Sequence, residues 1–347
     1  MRLLIIVFSI CMMNIKLPAQ SKVFIPAEKD RYKQVSGRYG GNEGVCLFED
    51  STFMLYGYAT AIFGKYVFEK EHILFYTDKP FLFDVYAHHN KSIGNNTRMN
   101  FVGFEDGGKT YIQLGNDSVQ RVFNDDANCF SSPYVHEQKG ILSTFTVFNV
   151  PYDAEFIETF PGNWYYENKE QYNDFILVHN PLKREQRDFA ASFYISKSKQ
   201  IHLALTNYGG EEGYRKQPIT EHEKKQWKEI LEMKEEYYRT KAMNETTLLA
   251  NTHYNVFYKE LEGYKLDAAT NQYIADNAAD NEAYFRSDEY RDDRYLRKYV
   301  KLQPNLKSST PLEQDKVSTT SIFFTACGED ADKSYQYKGF KYKKEEE

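Results

Sequence analysis

A mostly β fold with some α is predicted by three observations. In 347 residues, Tyr (29) and Phe (25) are abundant while Trp counts only 2, and aromatic side chains suit the pleated, half-buried surface of a strand. Short apolar runs recur at about 8–12-residue spacing with turn residues between them. Clear helical periodicity is confined to 220–241. Together these predict an N-terminal antiparallel β-sandwich or barrel over 36–150, followed by an α+β part over 151–347 with one amphipathic helix.

Each strand follows from its own residues. Val45-Cys46-Leu47-Phe48 is a short apolar strand, Glu49-Asp50-Ser51 a turn, and Thr52 to Tyr58 the next strand. Gly64 to Phe68 and His72 to Tyr76 flank Glu69-Lys70-Glu71, and Phe81 to Tyr86 follows Pro80. Gly94-Asn95-Asn96 suits a turn, because Gly and Asn tolerate positive φ. Met99 to Phe104 and Thr110 to Leu114 flank Glu105-Asp106-Gly107-Gly108, a hairpin pattern. Leu142 to Val150 ends this set. Strands are also expected at Phe189–Ile195 and Ile201–Thr206. The helix begins at Thr220, which with Glu223 forms a capping box. Trp227, Ile230, Leu231 and Tyr238 lie on one stripe. Beyond it we expect a strand at His253–Tyr258, a helix within the alanine-rich Asp267–Phe285, and a strand or short helix at Tyr295–Leu302. A polar loop at 305–316 then precedes a strand at Val317–Thr325.

The first 19 residues have the pattern of a signal peptide. Arg2 supplies the positive charge, Leu3 to Met13 the apolar core, and Leu17-Pro18-Ala19 the cleavage site. The apolar run stops short of the ~20 residues needed to span a bilayer. The expected location is therefore secreted, periplasmic or cell-surface, with no transmembrane span. Removing Arg2 and Lys16 from 44 basic residues leaves 42 against 50 acidic ones, a charge of -8. Mean hydropathy is -0.68. An acidic chain lacks the basic footprint that nucleic acid requires. Of the three cysteines left after cleavage, Cys46 and Cys129 fall in the same predicted domain and are the disulfide candidate, with Cys327 free.

No catalytic motif emerges. Gly-x-Ser-x-Gly and phosphate-binding loops are absent. Ser196-Lys197-Ser198-Lys199 sits between two predicted strands without its companion motifs. His88-His89 would point to opposite faces of a strand. Asp276, Asp280 and Glu282 form an oxygen-rich cluster without an EF-hand glycine, among Arg286, Arg291 and Arg294. No cofactor or metal site is expected. Trp164, Tyr165 and Tyr166 form an aromatic run suited to an exposed contact surface, such as one for a glycan.

Asp50-Ser51-Thr52-Phe53, then Gly64-x-Tyr66, then Ile73-Leu74-Phe75 resembles the succession of strands in lipocalin-like small secreted β-barrel proteins. Gly37-Arg38-Tyr39 stands where that family has Gly-x-Trp, with Tyr for Trp. The resemblance covers about residues 37–76 and implies a barrel; no functional residue is carried over. The expected function is a secreted non-catalytic binding or structural protein, its partner a small molecule, glycan or protein. The alternatives are an extracytoplasmic hydrolase acting on glycan or peptide, and an assembly or inhibitor protein using a sheet edge.

Overall fold

The computed structural model describes residues 22–105, 109–150, 162–181, 183–210, 212–218, 220–280, 282–305, 312 and 317–327. The predicted signal peptide and most of the predicted 305–316 loop lie outside them. The chain forms two compact units that interleave in sequence. The first takes residues up to 79 and 183–237; the second takes 80–182 and those from 238. The expected division into 36–150 and 151–347 is thus corrected. Its physical reason is long-range pairing, described below, that neighbouring residues do not encode.

The chain opens with β1 (Lys22–Val23), α1 (Arg31–Val35), β2 (Gly37–Gly40), β3 (Gly44–Leu47), β4 (Thr52–Gly57), β5 (Thr60–Glu69) and β6 (His72–Thr77). It moves into the second unit with β7 (Phe83–His88), β8 (Asn96–Val102), β9 (Lys109–Leu114), β10 (Val119–Phe123), β11 (Tyr134–Lys139), β12 (Thr144–Val150), β13 (Asn163–Glu167) and β14 (Asp174–His179). It returns to the first with β15 (Phe189–Ile195), β16 (Ile201–Leu205), β17 (Tyr214–Arg215) and α2 (Glu221–Asn244), whose residues from 238 are assigned to the second unit. The rest is β18 (Thr247–Ala250), β19 (Val256–Phe257), β20 (Tyr264–Asp267), β21 (Gln272–Ala275), α3 (Glu282–Ser287), β22 (Tyr295–Leu302) and β23 (Val317–Phe323).

The first unit is a nearly closed antiparallel barrel. Its order is β2-β3-β4-β5-β6-β15-β16-β17, with β1 added against β15. Tyr39 bridges Lys216, and Gln217 N–H donates to Arg38 O at 2.8 Å, bringing the last strand back to the first. The ladder between β6 and β15 pairs Phe75 with Phe189, so these two strands are neighbours although residues 80–182 separate them in sequence. An eight-stranded barrel has an interior just wide enough for side chains, and alternation fills this one with rings. Phe75 stacks on Phe189 at 4.5 Å between centroids and meets Phe53 edge-on at 4.9 Å. Tyr39, Tyr66, Phe193 and Leu203 join the same cluster. Gly64 is required here: a Cβ at that position would stand 2.7 Å from the Phe53 ring.

The other face of β2 to β5 carries α2. Phe48 meets Trp227 at 5.4 Å, and Phe63 stacks on Tyr237 at 4.1 Å. Glu223 receives the Arg38 guanidinium. Lys234 lies 4.4 Å over the Phe48 ring and pairs with Asp50. Thr220 Oγ1 accepts from Glu223 N–H at 3.2 Å, the expected cap. The second arm of the expected box is not formed: the Glu223 carboxylate goes to Arg38, and Thr220 N–H donates to Pro218 O. Leu231, expected on the packed stripe, is 37% exposed.

The second unit is a β-sandwich. One sheet runs β13-β12-β9-β10-β23 and the other β11-β8-β14-β7-β22-β18-β19, with the β20–β21 hairpin attached to β22. Val85, Phe101, Phe175 and Leu177 from the larger sheet pack against Ile112, Val122, Phe145, Val147 and Trp164 from the smaller. Two expectations are corrected. Met99 to Leu114 is not a hairpin: β8 pairs with β11 and β14 in one sheet, β9 with β10 and β12 in the other. Asp267–Phe285 is not one helix. Asp267 accepts from Ala269 and Thr270 N–H, and Asn271 takes φ 59°, so the chain turns back into β21. Only Glu282–Ser287 is helical.

Candidate functional site

Successive side chains of a strand point to opposite faces. On β14, Phe175 and Leu177 enter the sandwich core, so Asp174 and Ile176 face the other way. Asp174 is fully buried there. Its Oδ1 accepts from Tyr254 OH at 2.9 Å. Its Oδ2 accepts from Asn90 Nδ2 at 2.6 Å and Tyr299 OH at 3.2 Å, and faces Arg297 Nη1 at 3.4 Å. Carboxylates attract this many donors because burying a charge without partners is costly.

Three asparagines build the frame. Asn173 donates to Asn90 O and Gly94 O and accepts from Asn90 N–H at 2.7 Å, which fixes the segment after β7. Asn90 Oδ1 accepts from Ser92 N–H and Oγ, leaving Nδ2 aimed at Asp174. Asn251 does the same for the β18–β19 connection. It donates to Tyr290 O and Asp292 O and accepts from His253 and Asn255 N–H. Within that loop Tyr254 takes φ 61° and delivers its phenol to Asp174. The strand β22 supplies Arg297 and Tyr299 from alternate positions on one face.

Burial, followed by the nearby Asp174, raises the Tyr254 phenol well above its ordinary value and does the same to Tyr299. Both stay protonated donors. His88 is 4% exposed, its ring 5.2 Å from Tyr299, with Nδ1 3.0 Å from Lys298 O. Burial pushes its pKa down to about 4, so it is neutral at pH 7. Its Nε2 has no hydrogen-bond partner among the described residues. On the same face of β8, Arg98 forks onto Glu137 through Nε at 2.8 Å and Nη2 at 2.6 Å. Val102, at the other end of β8 opposite Val178, is exposed, and Val135 and Val178 are half-buried.

This geometry holds a carboxylate rather than presenting one. Each donor is tied to its own element, and Asp174, Tyr299, Arg297 and Tyr254 are all buried. Among the described residues, no three His, Cys, Asp or Glu side chains converge as metal ligands do. Comparison with family models, curated proteins and solved structures yields no match.

The residues singled out from sequence lie elsewhere. Trp164 and Tyr166 are core residues: Trp164 meets Phe83 at 4.8 Å and Tyr166 stacks on Phe145 at 5.0 Å. Tyr165 is half-buried. The exposed contact surface expected of the three is thereby corrected, because two of them face inward on β13. The expected Cys46–Cys129 bridge is also corrected. Cys129 pairs with Cys327 across a Cα separation of 5.6 Å, and Cys46 is a buried free thiol on β3 in the barrel unit. Ser196 is taken up in a tight turn with Ser198 and Gln200. Asp276 pairs with Lys265, and Glu282 with Arg286 and Arg294. His88 and His89 separate as expected, His88 buried and His89 exposed. Asp174 and its partners carry no local signature. The one available hint is the alternation of Arg297 and Tyr299 in a strand whose intervening residues are Leu296 and Lys298.

Proposed function

We propose that the chain is an exported, non-catalytic binding protein that meets its partner at its surface. The observation carrying this reading is that Asp174, a carboxylate facing four donor side chains, is fully buried beneath them. A general base or nucleophile must reach the proton or atom it acts on, and Asp174 has its oxygens occupied. The ring-filled barrel interior supports the same reading, because stacked Phe75 and Phe189 take the space a ligand would need. Likeness to lipocalin-like proteins is proposed for the barrel alone. It rests on the eight-stranded up-and-down order and on Gly37-Arg38-Tyr39 in its first strand. Export is supported by the leader pattern and by the Cys129–Cys327 pair, since disulfides persist in oxidising compartments.

The partner is a glycan, polypeptide or small molecule, and the face of β8 that carries Arg98 and the exposed Val102 is the first surface to probe. The test is turnover of chromogenic glycosides and fluorogenic peptides by the mature protein and by Asp174→Asn. The reading expects no turnover from either. Turnover by the parent would replace it with a hydrolase, and turnover kept by a folded Asp174→Asn variant would place the chemistry elsewhere than Asp174.

A further inference from the structure

The smaller sandwich sheet ends, among the described residues, at a strand held in an unusual way. β23 pairs with β10 alone, in parallel, and the ladder is irregular between Val119 and Arg121. None of the seven residues of β23 is buried, whereas Val119, Arg121, Val122 and Phe123 beneath it are. Within the ladder Gln120 Nε2 donates to Thr320 Oγ1 at 3.1 Å, and further attachments gather just beyond its end. Thr325 N–H donates to Asn124 Oδ1 at 2.8 Å, Asn124 Nδ2 returns to Thr325 O at 3.2 Å, and Cys327 N–H donates to Asn128 Oδ1 at 2.7 Å. Beside them Cys327 bonds to Cys129, a partner 198 positions away in sequence. Both cysteines are exposed.

We propose that the Cys129–Cys327 disulfide is a reducible latch that keeps β23 on the sheet. The step is thiol–disulfide exchange with a dithiol. One thiolate of the reductant attacks a sulfur of the pair, the second resolves the mixed disulfide, and the reductant leaves as its own disulfide. Two electrons and two protons pass to Cys129 and Cys327, which become thiols. An exposed bond is open to that attack. Once it is cut, β23 is held by one irregular ladder, a few hydrogen bonds near solvent and the packing of the partly buried Val317, Ile322 and Phe323, a short list for a strand of seven residues none of which is buried.

Release uncovers two things together. The unpaired N–H and C=O groups of β10 become a free sheet edge, which accepts an added strand. Phe323 also leaves its contacts with Phe101 at 5.4 Å, Phe123 at 5.5 Å and Tyr134 at 5.3 Å, which opens an aromatic seat. The occupant that fits both is an extended segment with the sequence of β23, carrying Phe323 at the matching position. The latch therefore governs whether this edge is closed by its own strand or open to an equivalent one.

Hydrogen exchange on the full chain tests this, before and after reduction by a dithiol and after reoxidation, with Cys327→Ser as a second route to the open state. Exchange at 317–323 and 119–123 is expected to quicken by about tenfold or more on reduction, to stay slow in β5 and β6 of the barrel, and to recover on reoxidation. A labelled peptide spanning 317–325 is expected to bind the reduced protein and the Cys327→Ser variant, and not the oxidised parent. Unchanged exchange at 317–323 after complete reduction would overturn the proposal, as would equal peptide binding to the oxidised and reduced forms.

Discussion

Replacing Asp174 by Asn keeps the side-chain volume and removes the charge on which four donors converge. The amide offers one oxygen where the carboxylate offers two, and its NH2 must face Asn90 Nδ2, Tyr254 OH, Tyr299 OH or the Arg297 guanidinium. Arg297 is 4% exposed and would keep its charge without a counter-ion. Breaking a buried pair from one side costs about 3–5 kcal/mol, because the remaining charge stays buried. With a urea slope of about 2 kcal/mol/M, the unfolding midpoint of the sandwich unit should fall by roughly 2 M. The assay is urea unfolding of the oxidised protein, with hydrogen exchange of β7, β14 and β22 assigning the transition to that unit. Tyr254→Phe removes one hydrogen bond to a charged acceptor and should cost less, about 1.5–3 kcal/mol. Asp174→Asn combined with Arg297→Met should recover part of the loss, since the stranded charge is then gone. An Asp174→Asn midpoint equal to that of the parent would refute the view of this centre as the clamp between β7, β14, β22 and the Tyr254 loop.

Further outcomes follow from the same structure. His88 has a folded pKa of about 4 against an ordinary 6.5, so the unfolded chain binds the extra proton first. Stability that is intact above about pH 6.5 is lost as pH falls towards 4, by about 3 kcal/mol from this group; His88→Gln should flatten that part of the pH–stability curve relative to the parent. Thr220→Ala should cost about 1 kcal/mol through the lost cap, while Trp227→Ala should cost less than a fully buried ring would, because Trp227 is half-buried; thermal melts of both variants check this. Cys46 should be the one titratable thiol of the mature, unreduced protein. Burial raises its pKa to about 12, so alkylation at pH 8 should require denaturant, and rapid labelling of the native protein would contradict its placement.

The barrel strands were legible because each is written locally. Val45-Cys46-Leu47, Phe53 to Tyr56 and His72 to Tyr76 alternate or run apolar between turn residues, and all three form strands. The helix was legible because Thr220 and the stripe through Trp227 and Ile230 need only near neighbours. Sheet membership was not. Glu105 to Gly108 has hairpin composition, yet Met99 and Phe101 pair with β11 and β14 while Tyr111 and Ile112 pair with β10 and β12. Alanine favours helices, but Ala268 and Ala269 occupy a turn set by the Asp267 carboxylate. The cysteine pairing failed for the same reason as the domain boundary: Cys46 and Cys129 fall in one predicted domain but belong to different units. Asp174 looks like any strand-opening acid. Its burial depends on Asn90, Tyr254, Arg297 and Tyr299, which lie 80 to 125 positions away.

The central claim, a binding protein that leaves its partner chemically unchanged, is tested most directly by native mass spectrometry. The mature oxidised protein would be incubated with oligosaccharide, peptide and small-molecule libraries, and both the complexes and the free ligands weighed. The account predicts a complex whose ligand is recovered at its original mass, weakened by Val102→Asp on the exposed end of β8. Recovery of cleaved ligand from the parent would contradict it.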